Sequence, residues 1–260
     1  MDYINEAGVV RKQSTILWAF ADGIINEYIS PVGKLNASII EEGNQTFVLD
    51  IDPFEEKFAS GGRDCRLRLY DLETKELIRK MIPVNSNHPG HSQAIYGCKF
   101  KKDDPNVIVS GGWDKTLQIH DVRIGGPVAS IYGADLSSNS IDIFDSTILT
   151  GSYRGKNPLQ TWDLGKRELI QTLEWDYSGE ISESSCLNCA AFSHSSDVII
   201  AGGKGGEVKI FDYDDEMEMY QLHTKISDFK DVILCCTFAN TSKILFDLSS
   251  KNIFKIAISL

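Results

Sequence analysis

Apolar residues in this chain gather in short runs broken by Gly, Pro, Asn, Asp and Ser. They do not recur at the three- and four-residue spacing of an amphipathic helix. Stretches 47–51, 95–100, 187–192 and 232–238 each lead into a turn cluster, and 77–81 and 169–173 each follow one. Short β-rich segments with turns on both sides predict strands. The whole chain predicts about twenty-two of them and no long helix.

One phrase recurs along the chain. A small-residue or β-branched cluster leads through a polar or glycine turn into an apolar strand, which ends in an aromatic residue or His followed by Asp. It reads Ala59-Ser60-Gly61-Gly62-Arg63-Asp64 and then Leu67, Leu69, Tyr70-Asp71. It returns as Val109-Ser110-Gly111-Gly112-Trp113-Asp114, then Leu117, Ile119, His120-Asp121. A third copy runs from Thr150-Gly151-Ser152 to Thr161-Trp162-Asp163, and a fourth from Ala201-Gly202-Gly203 to Ile210-Phe211-Asp212. The closing aspartates 71, 121, 163 and 212 are 50, 42 and 49 residues apart. That period matches the roughly 40–50 residues of a four-stranded propeller blade.

Weaker copies flank these four. Residues 16–23 and 24–28 read as middle strands of an earlier blade; 243–248 and 252–259 read likewise for a later one. The predicted fold is therefore all-β, a propeller of about six blades. Its first blade lacks an innermost strand and its last an outermost one. Residues 1–13, with Gly8-Val9-Val10, form a segment separate from the propeller of 14–260 and able to supply one seam strand. The ring either closes with one thin blade or is completed by a partner, because an open edge invites unwanted pairing.

Composition narrows the function. The chain has 260 residues, 42% of them hydrophobic and 10% aromatic, enough for a sizeable core. A net charge of −11 opposes binding to a phosphate backbone, so nucleic acid is not an expected partner. The segment MDYINEAGVVRKQS lacks the apolar core of a signal peptide, and no apolar run is long enough to cross a bilayer. The expectation is a soluble, cytoplasmic protein without membrane insertion, its six cysteines reduced.

Gly90-His91, the turn aspartates Asp64 and Asp114, and the Trp162-Asp163 pair resemble the WD-repeat family, over almost everything from residue 14 onward. The resemblance implies a network of His, Ser or Thr, turn Asp and strand Trp within each blade. Here the third blade supplies His91, Ser110 and Asp114, with His120 in place of Trp. The fourth has Thr150 and Trp162 without a turn aspartate, and no blade holds the full set. The resemblance also implies partner-binding positions on one face: Arg63, Trp113, Tyr153 and Lys204 before the turn, and Phe47, Tyr96 and Asn188 at the start of the innermost strand. The alternative for Phe47 and Tyr96 is packing between blades. Trp113, in a Gly-Gly-Trp-Asp turn, has little reason to be there unless something covers it. The insert before Gly90-His91 and the Ser-Gly-Gly-Trp-Asp turn further resemble a group associated with ciliated and flagellated cells, implying a cytoskeletal or ciliary setting.

Other motifs read as structural. Gly202-Gly203-Lys204-Gly205-Gly206 lacks the spacing and the following Ser or Thr of a phosphate loop, so it reads as a turn needing positive φ. Cys186-Leu187-Asn188-Cys189 has only His194 near it, short of a zinc set, and reads as two structural thiols. His88, His91, His120, His194 and His223 share no ligand spacing. No catalytic, cofactor or metal residue is assigned. The acidic run 212–218 reads as a solvated outer loop, or else as a patch for a basic partner; loop 82–92 reads as an insert that can reach over the Trp113 face. The functional expectation is a non-catalytic scaffold binding other proteins in a multi-subunit assembly, through one face and an open blade edge. The rivals are a reader of a short peptide or modified side chain at the channel mouth, and a metal-dependent hydrolase.

Overall fold

The computed structural model describes residues 2–4, 10–12, 14–83, 86–175, 186–227, 229, 231–238, 243–248 and 252–257, with side chains between 14 and 238. These residues form strands joined by turns, arranged as consecutive antiparallel sheets. A short pair, β1 (Asp2–Ile4) and β2 (Val10–Lys12), makes a two-stranded sheet of its own. The first blade is β3 (Thr15–Ala19), β4 (Ile24–Ile29) and β5 (Lys34–Ile40). The second is β6 (Thr46–Ile51), β7 (Lys57–Gly62), β8 (Leu67–Asp71) and β9 (Leu77–Met81). The third is β10 (Ile95–Phe100), β11 (Val107–Gly112), β12 (Thr116–Asp121) and β13 (Gly126–Tyr132). The fourth is β14 (Ile141–Phe144), β15 (Thr147–Gly151), β16 (Leu159–Asp163) and β17 (Glu168–Leu173). The fifth is β18 (Leu187–Phe192), β19 (Val198–Gly203), β20 (Val208–Asp214) and β21 (Met219–Ile226). The sixth is β22 (Ile233–Phe238), β23 (Lys243–Leu248) and β24 (Asn252–Ala257).

Each sheet runs inner to outer in chain order, and neighbouring sheets meet along their inner strands. This is an incomplete β-propeller of six blades. Among the described residues, the three-stranded first and last blades lack the strands that the sequence pattern also lacks, the innermost and the outermost. Among the described residues, neither receives a strand from the β1–β2 pair.

The core lies between blades. Val109, Leu117 and Ile119 of the third blade pack on Ile148 and Trp162 of the fourth. Ala59, Leu67 and Leu69 of the second pack on Ile95, Cys98 and Ile108 of the third. Middle strands are thus buried on both faces, which is why they read as nearly continuous small or apolar runs. Polar groups also join the blades. Asp50 on β6 accepts from the Phe100 N–H at 2.7 Å, and Asp142 on β14 accepts from the Phe192 N–H at 2.9 Å, each reaching into the next blade.

The Gly-Gly pairs have two separate jobs. A Cβ on Gly111 would stand 2.3 Å from Leu136 Cδ1, against the next blade. A Cβ on Gly112 would stand 2.2 Å from the Ala94 carbonyl oxygen, where the loop entering β10 crosses the end of β11. Gly62 and Gly203 meet the equivalent carbonyls of Gln45 and Cys186 at 2.0 Å each. None of these glycines has positive φ; in the Gly202–206 segment only Gly206 does, at +64°. Close approach, not a left-handed turn, is therefore the main reason for the glycines there.

Gly112→Ala is expected to lower stability by about 2 kcal/mol, the usual scale for forced overpacking. Gly165→Ala, whose Cβ would meet nothing nearer than 3.4 Å, is the control and should stay within about 0.5 kcal/mol. Urea midpoints of the two variants check the difference.

Candidate functional site

The blade architecture builds one face by repeating a backbone device. In the second, third, fifth and sixth blades the ladder between the two innermost strands slips by one residue, at Phe47, Tyr96, Asn188 and Leu234. Such a bulge leaves one residue unpaired and re-aims its side chain. Two residues before three of these bulges, a carbonyl accepts a hydrogen bond from the residue that follows the second strand. The pairs are Arg63 N–H to Gln45 O at 3.0 Å, Trp113 N–H to Ala94 O at 3.3 Å, and Lys204 N–H to Cys186 O at 2.9 Å. In the fourth blade, whose inner strand carries no bulge, Tyr153 N–H makes the matching bond to Asp135 O at 2.8 Å. All four turn positions are thus tied to the loop that enters the neighbouring inner strand.

The result is an aromatic stack across the second and third blades. Phe47 and Tyr96 lie parallel, with ring centroids 4.9 Å apart at 4°. Tyr96 continues to Trp113 at 5.2 Å and 33°. Phe47 and Tyr96 are half-buried, whereas Trp113 is 50% exposed at the end of the stack. Exposed Arg63 stands by the stack, its guanidinium 3.4 Å from Gln45 Oε1. Arg66, Lys115, Lys156 and Lys204 are exposed on the equivalent turns. The turn acids point inward instead, Asp64 to Arg68 and Asp114 to His91. A protein of net charge −11 thereby exposes cationic side chains on the same set of turns that carries Trp113.

The remaining expected positions divide. Tyr153 is exposed on the fourth blade. Asn188 does structural work: its Nδ2 donates to Ile233 O at 3.0 Å, and its carbonyl accepts from Ser138 Oγ at 2.6 Å. Leu234, 49% exposed, occupies the same bulge position as Phe47 and Tyr96 and was not singled out by sequence. The signal was its place in the repeat, one residue into the innermost strand, but no aromatic or charged group marked it.

Polar networks lie beneath this face. In the third blade His91 Nδ1 meets Asp114 Oδ2 at 2.9 Å, and Ser110 Oγ lies 2.8 Å from both His91 Nε2 and His120 Nε2. Burial alone would raise the Asp114 carboxyl, but the hydrogen bond and electrostatic pull of the His91 ring hold it below the usual carboxylate value. His120 is pushed down to about 3, first by burial and then by His91. In the fourth blade Trp162 Nε1 donates to Thr150 Oγ1 at 2.8 Å. The second blade uses a residue the sequence motif did not indicate. Buried Glu41 accepts from Asn44, Thr46, Tyr70 and Ser60, and Arg68 lies 3.7 Å away. Burial, then the Glu41 charge, raises the Tyr70 hydroxyl's pKa. Glu41 thus takes the role His91 has in the next blade, with Tyr70 opposite Ser60 as His120 is opposite Ser110.

Two segments differ from their sequence readings. The first three residues of the acidic run, Asp212, Tyr213 and Asp214, continue strand β20, so the outer turn is shorter than the run. Ile82, Pro83, Pro89 and Gly90 of the long loop border a cavity shared with the turn of the second blade. Cys186 and Cys189 are buried thiols outside any disulfide, the latter on β18 with its Sγ 3.5 Å from Gly202 O.

Comparisons with known proteins agree with this architecture. The family described as WD domain, G-beta repeat, matches residues 83–121 and 169–212. Each match ends on the repeat's aspartate in a third strand, Asp121 or Asp212. The guanine nucleotide-binding protein subunit beta of Zea mays is 21% identical over 192 residues, 72% of this chain and 50% of that protein. Histone acetyltransferase type B subunit 2 of Gibberella zeae is 34% identical over 94 residues, 35% of this chain and 22% of that protein. Coronin-7 of Mus musculus is 29% identical over 93 residues, 35% of this chain and 10% of that protein. The chain therefore spans between a tenth and a half of these relatives' length. Among solved structures, the computationally designed Ika8 protein superposes with a TM-score of 0.66 at 18% identity, over 94% of this chain and 68% of its own.

Glu41→Ala is expected to destabilise the chain by about 3 kcal/mol, because it leaves the buried Thr46, Ser60 and Tyr70 hydroxyls and the Asn44 amide without their shared acceptor. A denaturant titration measures it. His120 gives a pH signature with a definite sign. Its folded value of about 3 lies below the unfolded 6.5, so the unfolded state binds the proton first. Stability from this residue is complete above pH 6.5 and falls as pH drops toward 3. Between pH 7 and 5 the loss should be about 2 kcal/mol, and His120→Phe should remove that part of the slope in melts at the two pH values.

Proposed function

We propose that this chain, a member of the WD-repeat family, is a non-catalytic scaffold that binds other proteins through the face carrying Phe47, Tyr96 and Trp113. The observation that carries this reading is the stacked aromatic row ending in a half-exposed indole beside exposed arginine and lysine side chains. Tryptophan, tyrosine and arginine dominate interface hot spots. Phe47 and Tyr96 hold the Trp113 ring in place, so a partner meets an anchor already ordered, with less entropy to lose on binding. Arg63 and Tyr153 extend the contact along the turns, and Lys204 supplies charge at its far side. Asn188 serves the scaffold beneath.

The leading face of the first blade supports a second surface within the same reading. Ile16, Trp18 and Phe20 are exposed there, and with Tyr28, Ile29 and Pro31 they border an apolar hollow of about 350 Å³. A continuous exposed apolar patch of this kind marks an interaction site. The whole reading assigns binding and assembly to this chain and no chemical step.

The docking face is tested by comparing pull-downs with the wild-type chain and the Trp113→Ala plus Arg63→Ala double variant. The expected outcome is loss of bound partners at unchanged thermal stability, corresponding to about 2 kcal/mol or more of binding energy per anchor. An identical set of partners at equal yield rejects this face.

A further inference from the structure

The polar ties between blades have a counterpart with one half missing. In each tie a carboxylate on an inner strand accepts an N–H from the next blade's inner strand: Asp50 from Phe100 at 2.7 Å, Asp142 from Phe192 at 2.9 Å. Phe100 and Phe192 directly precede Lys101 and Ser193, whose N–H groups close the ladder on Val107 O and Val198 O. In the second blade Asp52 N–H closes the ladder on Lys57 O in the same way, so Ile51 holds the matching place. Bonded and unbonded pairs alternate along an antiparallel ladder, so Ile51 N–H points away from β7. Nothing among the described residues accepts it. The matching carboxylate belongs on the inner strand of the first blade, the strand that this blade lacks among the described residues.

The edge where that strand belongs is open. Ser30 N–H bonds to Ser14 O and Phe20 N–H to Ile24 O, so Ser14, Ile16, Trp18 and Phe20 turn their backbone groups toward β4. Thr15, Leu17 and Ala19 turn theirs to the empty side, since β3 is the edge of its sheet. Leu17 lies three residues after Ser14, as Ala59 lies three after Glu56 and Leu149 three after Ser146; Glu56 O and Ser146 O accept the bond that Ser14 O accepts. Asp50 stands opposite Ala59 and Asp142 opposite Leu149. A residue opposite Leu17 is therefore the one that reaches Ile51 N–H. Its two neighbours stand opposite Ile16 and Trp18, at the closer, unbonded kind of pair and beside the apolar hollow. Phe20 occupies the place of Gly62, Gly112 and Gly203, so a strand here does not enter by the loop crossing that those glycines admit. That difference favours a separate polypeptide over a loop-joined strand of the usual kind.

We propose that the open edge of β3 takes an extended segment of a partner protein as an added antiparallel strand, with an aspartate opposite Leu17 that accepts Ile51 N–H and an apolar residue on each side of it. The segment has the pattern of Val48-Leu49-Asp50-Ile51, the stretch that fills the same place in the second blade. Main-chain hydrogen bonds supply its affinity, and the aspartate with its apolar neighbours fixes the register. Asp50 is paired with Lys99 at 3.1 Å, so it sets no unpaired charge against the incoming carboxylate. This inference rests on the scaffold reading and specifies what its first-blade surface binds.

The test is an NMR titration of the full chain with a synthetic peptide of residues 46–51, Thr-Phe-Val-Leu-Asp-Ile, carrying lysines at both ends for solubility. Saturable binding is expected, with slowed amide exchange at Leu17, Ala19 and Ile51. The peptide with Asn in place of Asp should bind about tenfold more weakly. Ala19→Pro removes an outward N–H from an edge strand, where proline is tolerated, and should abolish binding. Ile51→Pro removes the donor for the aspartate and should make the Asp and Asn peptides bind alike. A peptide N-methylated at its Asp cannot donate to Leu17 O and should not bind, which decides the matter if neither variant folds. The Trp113→Ala plus Arg63→Ala variant should bind the peptide as the wild type does, so this proposal and the docking face fail separately. Absence of saturable binding, equal affinity of the Asp and Asn peptides for the wild type, or unchanged binding of the N-methylated peptide overturns it. Slow exchange of these amides before any peptide is added also overturns it, because a second copy or another segment of this chain then holds the edge.

Discussion

A propeller blade buries both faces of its middle strands, so it cannot be stable without a neighbour on each side. That constraint orders the rest of this structure. Phe58 and Ser60, on the leading face of the second blade, are fully buried against the first. The matching positions of the first blade, Ile16 and Trp18, are 47% and 56% exposed. The contrast follows from position in the ring, since the same strand pair meets a blade in one case and solvent in the other. Polar ties run along the same seams: Asp50 and Asp142 each hold the backbone of the next blade's inner strand.

Close packing of blades also produces the candidate site. The loop entering each inner strand presses on the end of the second strand, and only glycine at positions such as 112 lets it approach. That approach fixes the following residue, Trp113, by its N–H to Ala94 O, while the bulge turns Tyr96 toward the same side. Trp113 then lies against Tyr96 and Tyr96 against Phe47. A requirement of folding thus places an ordered aromatic row at the surface. The candidate face and the stability of the fold are coupled through the backbone rather than through shared side-chain contacts.

The interior networks show how far a repeat can drift while keeping its geometry. Three neighbouring blades solve one problem, satisfying a buried Ser or Thr, with three different partners. Ser60 meets Glu41 and Ser110 meets two histidines, whereas Thr150 meets the Trp162 indole. Each solution changes the local volume. A cavity borders His120, whose ring is shorter than the Trp162 indole.

The repeat period, the strand positions, the missing inner strand of the first blade and the missing outer strand of the last were all legible in the residue pattern. Turn chemistry and apolar runs are local properties, set by backbone preference and by burial on two faces. Phe47, Tyr96 and Trp113 were legible as positions, since each holds a fixed place in the repeat. That they form one stack was not, for Phe47 and Tyr96 are 49 residues apart and meet only when blades pack. Glu41 was missed for a similar reason. It carries no motif, and its partners Ser60 and Tyr70 lie 19 and 29 residues away. Asn188 was legible as a position, but its tie to Ile233 was not, because the accepting carbonyl is supplied by the next blade. Residue spacing alone determined that this chain forms blades. Which side chains face each other across the seams, which remain exposed, and where a cavity opens were decided only when those blades came together.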